Sequence, residues 1–228
     1  MFTPSEKYRE YLVSSKYCDA DSETVISKAK EIAGNSKTPR EAAMAVHSYV
    51  RDQFKFGFTP ITEKASQTLG GTIGWCVTKT NLQIALLRAL GIPARYHQVA
   101  LSKTVQQGII GRTLYKQISD RIWFHPWCEV NLDDRWIACD LWIDSQTYHA
   151  AVRSGIYSKA FFPTVDWDGE HDLNIVDHWL IEDIGTHQIY DEVIERANEE
   201  LSAGPAFILN FLVKRSNRVT ARLREHYA

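Results

Sequence analysis

The stretch GTIGWCVTKTNLQIALLRALGIPAR, residues 71–95, places a cysteine between a glycine-rich turn and a segment of helical periodicity. The apolar side chains after Cys76 recur at helical spacing and form one stripe, which consists of Leu82, Ala85, Leu86, Ala89 and Leu90. Gly91 suits the position just past a helix end, and Pro93 prevents the helix from continuing. The stretch therefore predicts a helix that begins at Cys76 and ends before Gly91.

The position of Cys76 at a helix start favours the reactive thiolate form of its side chain. The first N–H groups of a helix are unpaired and carry partial positive charge, which stabilises an anion there. Gly74 lets the backbone approach closely before the thiol, and Lys79 would add a positive charge one turn later. The alternative is an inert cysteine that packs as a small apolar side chain. This segment alone does not decide between them.

Composition limits the classes of protein that the chain can belong to. It has 228 residues, 44% of them apolar, and a formal net charge of -2. This balance gives no overall attraction to nucleic acid or to anionic membranes. No apolar run is long enough to span a bilayer, and the first residues lack the apolar core of a secretory signal. With four cysteines and no disulfide framework, we expect a cytoplasmic protein with no nucleic-acid partner and no membrane span.

The remaining sequence predicts helices before and after an antiparallel sheet. Thr38, Pro39 and Glu41 form a capping box that starts one of the early helices. The other predicted elements are a helix at 19–34, a strand at 94–101, a flexible excursion at 103–119, a hairpin at 121–143, a short helix near 149–157, an irregular loop at 162–172, and helices near 186–202 and 205–225. We expect one α+β domain over residues 1–228, with a core at about 40–142 and a C-terminal helical extension at about 186–228.

The predicted hairpin brings a histidine and an aspartate together. If Asp133 and Asp134 form a two-residue turn, His125 lies opposite Trp142 and Asp140 lies opposite Trp127. His125 and Asp140 are then diagonal neighbours on one face of the sheet, provided that no bulge intervenes. Taken singly, each has an ordinary structural explanation, as a sheet-edge histidine and a turn aspartate. Taken together with Cys76, they predict a Cys-His-Asp triad.

Two sequence boxes resemble the transglutaminase-like superfamily of papain-type cysteine enzymes. The first is Gly74-Trp75-Cys76 followed by a helix that ends in the sequence of residues 85–95. The second consists of His125, Trp127, Glu129, Val130, Trp136 and Asp140. Two departures indicate a divergent subfamily: Leu141-Trp142 replaces the usual Pro-Thr after the aspartate, and Lys79 replaces an aromatic residue.

The resemblance implies an α+β cysteine-proteinase fold in which the nucleophile helix packs on an antiparallel sheet, with flanking N- and C-terminal helices. It implies Cys76 as nucleophile, His125 as general base and then acid, and Asp140 as the group that orients the imidazole. Trp75 and Trp127 are candidate substrate-binding residues. Gln53 is a candidate oxyanion donor, with a solvated helix residue as the alternative.

We therefore expect an enzyme that transfers an acyl group through Cys76. Hydrolysis of an amide, peptide or thioester bond is favoured, because water needs no second binding site. The alternatives are a transglutaminase-type transfer to an amine and a catalytically silent binding module. The chemistry requires no cofactor and no metal, and the expected substrate is a peptide or another acyl or amide compound.

Three further features have competing explanations. Cys128 and Cys139 lie opposite each other in the hairpin, where two reduced thiols are favoured over a disulfide. The acidic loop at 166–172 fits a solvated loop or a substrate rim better than a metal site. The C-terminal helix is basic, with Lys214, Arg215, Arg218, Arg222 and Arg224. We expect it to dock on the core through Phe207, Leu209 and Leu212, with binding of a partner, carrier or membrane surface as the alternative.

Overall fold

The computed structural model describes residues 2–3 and 6–227 of the chain. A 3-10 helix at Glu6–Leu12 comes first. The helices are α1 (Glu23–Ala33), α2 (Pro39–Gln53), α3 (Ala65–Leu69), α4 (Cys76–Ala89), α5 (Arg112–Tyr115), α6 (Ser145–Arg153), α7 (Asp191–Leu201) and α8 (Ala206–His226). The strands are β1 (Lys55–Phe56), β2 (Ile73–Gly74), β3 (Ala94–Ser102), β4 (Arg121–Leu132), β5 (Arg135–Ala138) and β6 (Leu180–His187).

The main sheet is antiparallel and has the strand order β5-β4-β3-β6. Leu132 pairs with Arg135 and Glu129 pairs with Ala138, so the predicted hairpin register is confirmed over these residues. Strand β5 ends at Ala138, so the predicted pairs His125–Trp142 and Trp127–Asp140 do not form. Asp133 and Asp134 form the turn with φ values of 53° and 62°. Aspartate tolerates these left-handed values better than most residues do, and two-residue hairpin turns need them.

Helix α4 lies at the centre of the molecule and begins at Cys76, as predicted. All of its side chains are buried, rather than one stripe of them. Strands β3 and β4 pack on one side of it, and α1, α2 and α3 contact it elsewhere. A helix enclosed on every side must also bury its polar residues, so Asn81, Gln83 and Arg88 find partners inside the protein.

The N-terminal capping prediction is confirmed. The Thr38 hydroxyl accepts a hydrogen bond from the Glu41 N–H at 3.1 Å, with Pro39 at the first position of α2. The Glu41 carboxylate accepts from the N–H of Lys37, one residue before the expected partner. These contacts satisfy N–H groups that would otherwise lack partners at the helix start.

The structure differs from the prediction in two segments, one between β3 and β4 and one before the C-terminal helices. Residues 180–187 form strand β6, which the sequence did not predict, and the helix predicted near 186–202 is present as α7 but starts later, at Asp191. The strand exists because it pairs with β3, more than 80 residues earlier in the chain, and its side chains are mostly exposed. Residues 103–119 were predicted to be a flexible excursion, but they contain a 3-10 turn and α5. Four apolar side chains of this segment are buried, those of Val105, Ile109, Ile110 and Leu114. The short helix near 149–157 lies slightly earlier, as α6.

Helix α8 docks differently from the prediction. Its second half is anchored by polar side chains: the Thr220 hydroxyl donates to the Ile109 carbonyl at 2.7 Å, and Asn217 bonds both backbone groups of Phe58. Leu212 packs on the core as expected, but Phe207 is 76% exposed. The first turns of the helix therefore leave three large apolar side chains in solvent, those of Phe207, Ile208 and Phe211. Over residues 2–3 and 6–227, no helix combines the length and apolarity that crossing a membrane requires.

Candidate active site

Cys76 is held at the start of α4 by the short parallel pair β1 and β2, which runs directly into the helix. The Thr78 hydroxyl accepts a hydrogen bond from the Trp75 N–H at 3.2 Å and so caps the helix locally. A Cβ atom at position 74 would lie 2.8 Å from Lys79 Cγ, which is a steric clash. This explains why residue 74 is a glycine. Cys76 itself is 6% exposed.

His125 lies in β4, directly next to a β-bulge. Val99 pairs with His125 and Leu101 pairs with Ile122, so β4 holds an extra residue between the two pairs. The imidazole is buried. Burial lowers the pKa of His125, but the nearby negative charges of Cys76 and Asp140 outweigh this effect and raise the pKa to about 9. The protonated imidazole is therefore the favoured form at neutral pH.

Asp140 follows β5 and is fixed from several directions. Its N–H donates to the Leu173 carbonyl at 3.1 Å, and its own carbonyl lies 3.3 Å from His47 Nε2. Its Oδ1 accepts from the Trp142 N–H at 3.2 Å. Burial lowers the pKa of His47 to about 4, so this histidine is neutral and its Nε2–H tautomer can donate to the Asp140 carbonyl. These contacts leave Oδ2 as the oxygen that faces His125.

The structure brings the predicted histidine and aspartate together on one side of the Cys76 helix start. His125 Nε2 lies 3.7 Å from Asp140 Oδ2, slightly beyond hydrogen-bond length. Neither atom has a hydrogen-bond partner among the described residues, although both are buried. Long contacts of this kind are common in substrate-free sites and tighten during the reaction. Such an arrangement can stabilise a thiolate and an imidazolium side by side.

Lys79 does not point toward the thiol. Its side chain is fully buried, and Nζ donates to the Arg51 carbonyl at 3.0 Å, at the end of α2. Burial lowers the pKa of Lys79 to about 8, against the opposing influence of Asp144 and Asp52. The expectation that Lys79 adds charge beside Cys76 is wrong, because the helix turn directs it into the packing between α4 and α2.

The candidate substrate-binding residues lie in three different settings. Trp75 is buried and packs edge-on against Phe58 and Phe124, and its indole N–H donates to the Thr59 carbonyl. Trp127 is buried and stacks on His97, with ring centroids 4.5 Å apart. Gln53 is the last residue of α2 and is exposed, which agrees with the alternative of a solvated helix residue.

An ionic cluster beside Trp127 was missed by the sequence analysis. His97 lies between two carboxylates, with Nδ1 2.7 Å from Glu129 and Nε2 2.8 Å from Asp183. Arg95 also donates to Glu129 at 2.7 Å. Burial lowers the pKa of His97, but the two carboxylates outweigh it and raise the pKa. Arg95 and His97 are two residues apart on β3 and so share one face of the sheet, which was the signal in the sequence. Asp183, the second carboxylate beside His97, lies on strand β6, which the sequence did not predict.

The four cysteines, Cys18, Cys76, Cys128 and Cys139, are free and buried. Cys128 and Cys139 lie opposite each other as the register predicts, and the Cys139 N–H donates to the Cys128 carbonyl at 2.9 Å. Burial raises the pKa of Cys18 and of Cys128, which makes both thiols unreactive near neutral pH.

The loop at 162–172, which includes the acidic stretch at 166–172, is irregular, as predicted. It contacts the end of α2. Asp166 pairs with Arg51 at 2.6 Å, and Trp167 packs near His47. Asp168 accepts from two N–H groups of its own turn and pairs with His171, so its carboxylate is already engaged. The loop therefore lies near the elements that hold Asp140.

Comparison with known proteins places the chain in a family. The sequence matches the model of the transglutaminase-like superfamily over residues 26–141, slightly more than half of the chain. No curated protein matches it. The structure is similar to that of a candidate cysteine protease from Cytophaga hutchinsonii, with a TM-score of 0.53 and 19% identity, over 83% of this chain and 50% of that one. A candidate protease from Parabacteroides distasonis has a TM-score of 0.38 and 11% identity, over 57% of this chain and 24% of that one.

These comparisons agree with the fold described above. The first similarity establishes a shared α+β cysteine-proteinase fold, and the chain spans half the length of that protein. The family match covers the whole of α4 as well as His125 and Asp140. This chain belongs to the transglutaminase-like superfamily.

Proposed function

We propose that this protein is a cysteine-dependent enzyme that hydrolyses an amide, peptide or thioester bond through an acyl-enzyme. The observation that carries the proposal is the buried imidazole of His125, which lies 3.7 Å from Asp140 and has its pKa raised by that carboxylate and by Cys76. A histidine held as an imidazolium beside a cysteine supplies both an activated nucleophile and a proton donor.

In the proposed reaction, the Cys76 thiolate attacks the substrate carbonyl carbon. The Cys76 N–H is the first of α4 and points out of the helix, so it is suited to bind the developing oxyanion. The His125 imidazolium then gives its proton to the leaving amine or thiol, and the acyl group stays on Cys76. Water attacks this acyl-enzyme, giving up a proton to His125, and the thiolate is regenerated when the acid leaves.

Aromatic side chains beside Cys76 support a substrate with apolar groups near the scissile bond. Trp75 packs edge-to-face against Phe58 and against Phe124, with ring centroids 5.3 and 6.1 Å apart. Two surface cavities of about 410 and 450 Å³ lie elsewhere and are lined by neither Cys76 nor His125. We expect the acyl donor to place its apolar groups against this aromatic cluster.

The activation of Cys76 is tested by alkylation with iodoacetamide at pH 6.5, with the modified cysteine identified by peptide mass. We expect Cys76 to react much faster than Cys18 and Cys128, whose pKa values are raised by burial. The His125→Ala variant should react slowly at Cys76, because the imidazolium that stabilises the thiolate is lost. Equal and slow labelling of all the cysteines would contradict the proposal and favour a silent binding module.

The reaction itself is tested with activated esters and thioesters of peptides. We expect intact-mass spectra to show one acyl group on Cys76 and free acid to accumulate, and the Cys76→Ser variant should show neither. Addition of a primary amine separates the two kinds of acyl transfer. If amide forms in preference to acid at low amine concentration, the protein is a transferase and the hydrolytic assignment is wrong.

A further inference from the structure

Helix α8 has one face on the protein and the opposite face in solvent. The docked face consists of Leu212, Val213, Ser216, Asn217, Thr220, Leu223 and Arg224, which pack on the core or bond to it. The opposite face carries residues 207, 211, 214, 218 and 222, which recur at intervals of three and four along the helix and are all exposed. Docking of α8 therefore orients this second face outward.

The outward face has an apolar end and a cationic end. Phe207 is 76% exposed and Phe211 63% exposed, and Ile208 beside them is 46% exposed. The next turns carry exposed cations, namely Lys214, Arg215, Arg218 and Arg222. Within the described part of the chain, none of these four lies within ion-pair distance of a carboxylate. The only acidic residue of α8 is Glu225, near its last turn.

This concentration of charge contrasts with the rest of the molecule. The chain has a formal net charge of -2, whereas residues 206–224 contain five cations and no acidic residue. The acidic remainder of the molecule opposes adsorption to an anionic surface through any other face. The charge distribution therefore favours one orientation, with α8 toward the anionic surface.

We propose that the outward face of α8 binds an anionic lipid surface, so that the protein is held peripherally on a membrane. Phe207, Ile208 and Phe211 would enter the boundary between headgroups and acyl chains, and the four cations would contact the headgroup phosphates. Large apolar residues next to lysines and arginines on one helix are the pattern of helices that lie in this interface. The proposal does not depend on the activity proposed for Cys76.

Two features favour lipid over other polyanions. The exposed apolar cluster includes the aliphatic Ile208, which does not stack on nucleic-acid bases as aromatic rings do. The face is the convex side of a single helix, without the groove that tracks a nucleic-acid backbone. Apolar insertion plus electrostatic attraction therefore accounts for all of its residues.

The test is co-sedimentation of the full chain with vesicles made of equal parts phosphatidylcholine and phosphatidylglycerol, compared with vesicles of phosphatidylcholine alone. We expect the protein to sediment with the mixed vesicles only, and added salt to release it. The variant Arg218→Glu with Arg222→Glu should bind at least about 20-fold more weakly. The matched control is Lys30→Glu with Lys37→Glu, which makes the same change in net charge at other exposed positions and should keep most of the binding.

The apolar contribution is tested in parallel. Phe207→Ser with Phe211→Ser should also release the protein from mixed vesicles, whereas the exposed pair on β6, Ile181→Ser with Ile184→Ser, should not. Unchanged thermal unfolding midpoints would show that the variants are folded. Equal binding to both kinds of vesicle, equal losses in the controls, or binding to RNA or an acidic protein without binding to vesicles would each overturn the proposal.

Discussion

His125 Nε2 and Asp140 Oδ2 lie 3.7 Å apart, and both atoms are buried without a hydrogen-bond partner among the described residues. In the Asp140→Asn variant, the charge that helps to raise the pKa of His125 is gone. We expect alkylation of Cys76 at pH 6.5 to slow at least about 10-fold, because the negative charge that favours the imidazolium is lost. Peptide-resolved mass spectrometry measures the rate.

Asp140→Ala separates this electrostatic role from a structural one. Asparagine keeps an oxygen for the Trp142 N–H, whereas alanine does not. Both variants should therefore label slowly, but only alanine should also lower the thermal unfolding midpoint clearly. If both variants labelled as fast as the natural protein, Asp140 would have no part in the site.

The lowered pKa of buried Lys79 predicts that the stability of the protein rises with pH. Burial lowers its pKa in the folded protein to about 8, compared with 10.5 for an ordinary lysine. Between these pH values the unfolded chain holds the proton and the folded chain does not, so stability rises with pH. Relative to Lys79→Met, the natural protein should gain up to about 3 kcal/mol from pH 8 to 10.5. Urea unfolding at several pH values measures this difference.

The exposed Lys30 supplies the matched control for this measurement. The difference in unfolding free energy between the natural protein and Lys30→Met should stay constant over the same pH range. A Lys79→Met difference that is equally flat would mean that the pKa of Lys79 is not lowered in the folded protein.

Asn217 fastens α8 to the segment that leads to the site. Its side chain accepts from the Phe58 N–H at 2.8 Å and donates to the Phe58 carbonyl at 3.0 Å. Asn217→Ala leaves both groups without their partner, and we expect a loss of about 1–3 kcal/mol. Two turns earlier on the same helix, where residue 210 is exposed, Asn210→Ala should change the unfolding free energy by less than about 0.5 kcal/mol. Equal effects would show that the Phe58 contact adds no stability.

The Gly74→Ala variant tests how tightly the backbone directly before Cys76 is packed. In Gly74→Ala the new Cβ would lie 2.8 Å from Lys79 Cγ and 3.2 Å from the Thr78 hydroxyl. Overpacking of this kind costs about 1–3 kcal/mol, and displacement of Thr78 should also slow the labelling of Cys76. In Gly70→Ala the nearest atom lies 3.4 Å away, so stability and labelling should be nearly unchanged. Thermal unfolding and alkylation rates measure both effects.

Short-range patterns in the sequence predicted much of the framework. The limits of α4 followed from its periodicity and from Gly91 and Pro93, and the register of β4 and β5 followed from the turn at Asp133 and Asp134. These features depend on neighbouring residues and on backbone preferences, which are written in the local sequence. The same register led to His125 and Asp140 as a pair.

Other features depend on residues far apart in the chain, and only the tertiary structure decides them. Strand β6 exists because it pairs with the edge of β3, and Lys79 turns away from Cys76 because its Nζ donates a hydrogen bond to the Arg51 carbonyl. Asp140 is fixed by Leu173 and His47, although β5 has already ended before it. The sequence by itself determined helix α4 and the hairpin, since local interactions specify both. The tertiary structure decided which buried polar groups meet and which face of α8 stays in solvent, because distant segments must first pack together.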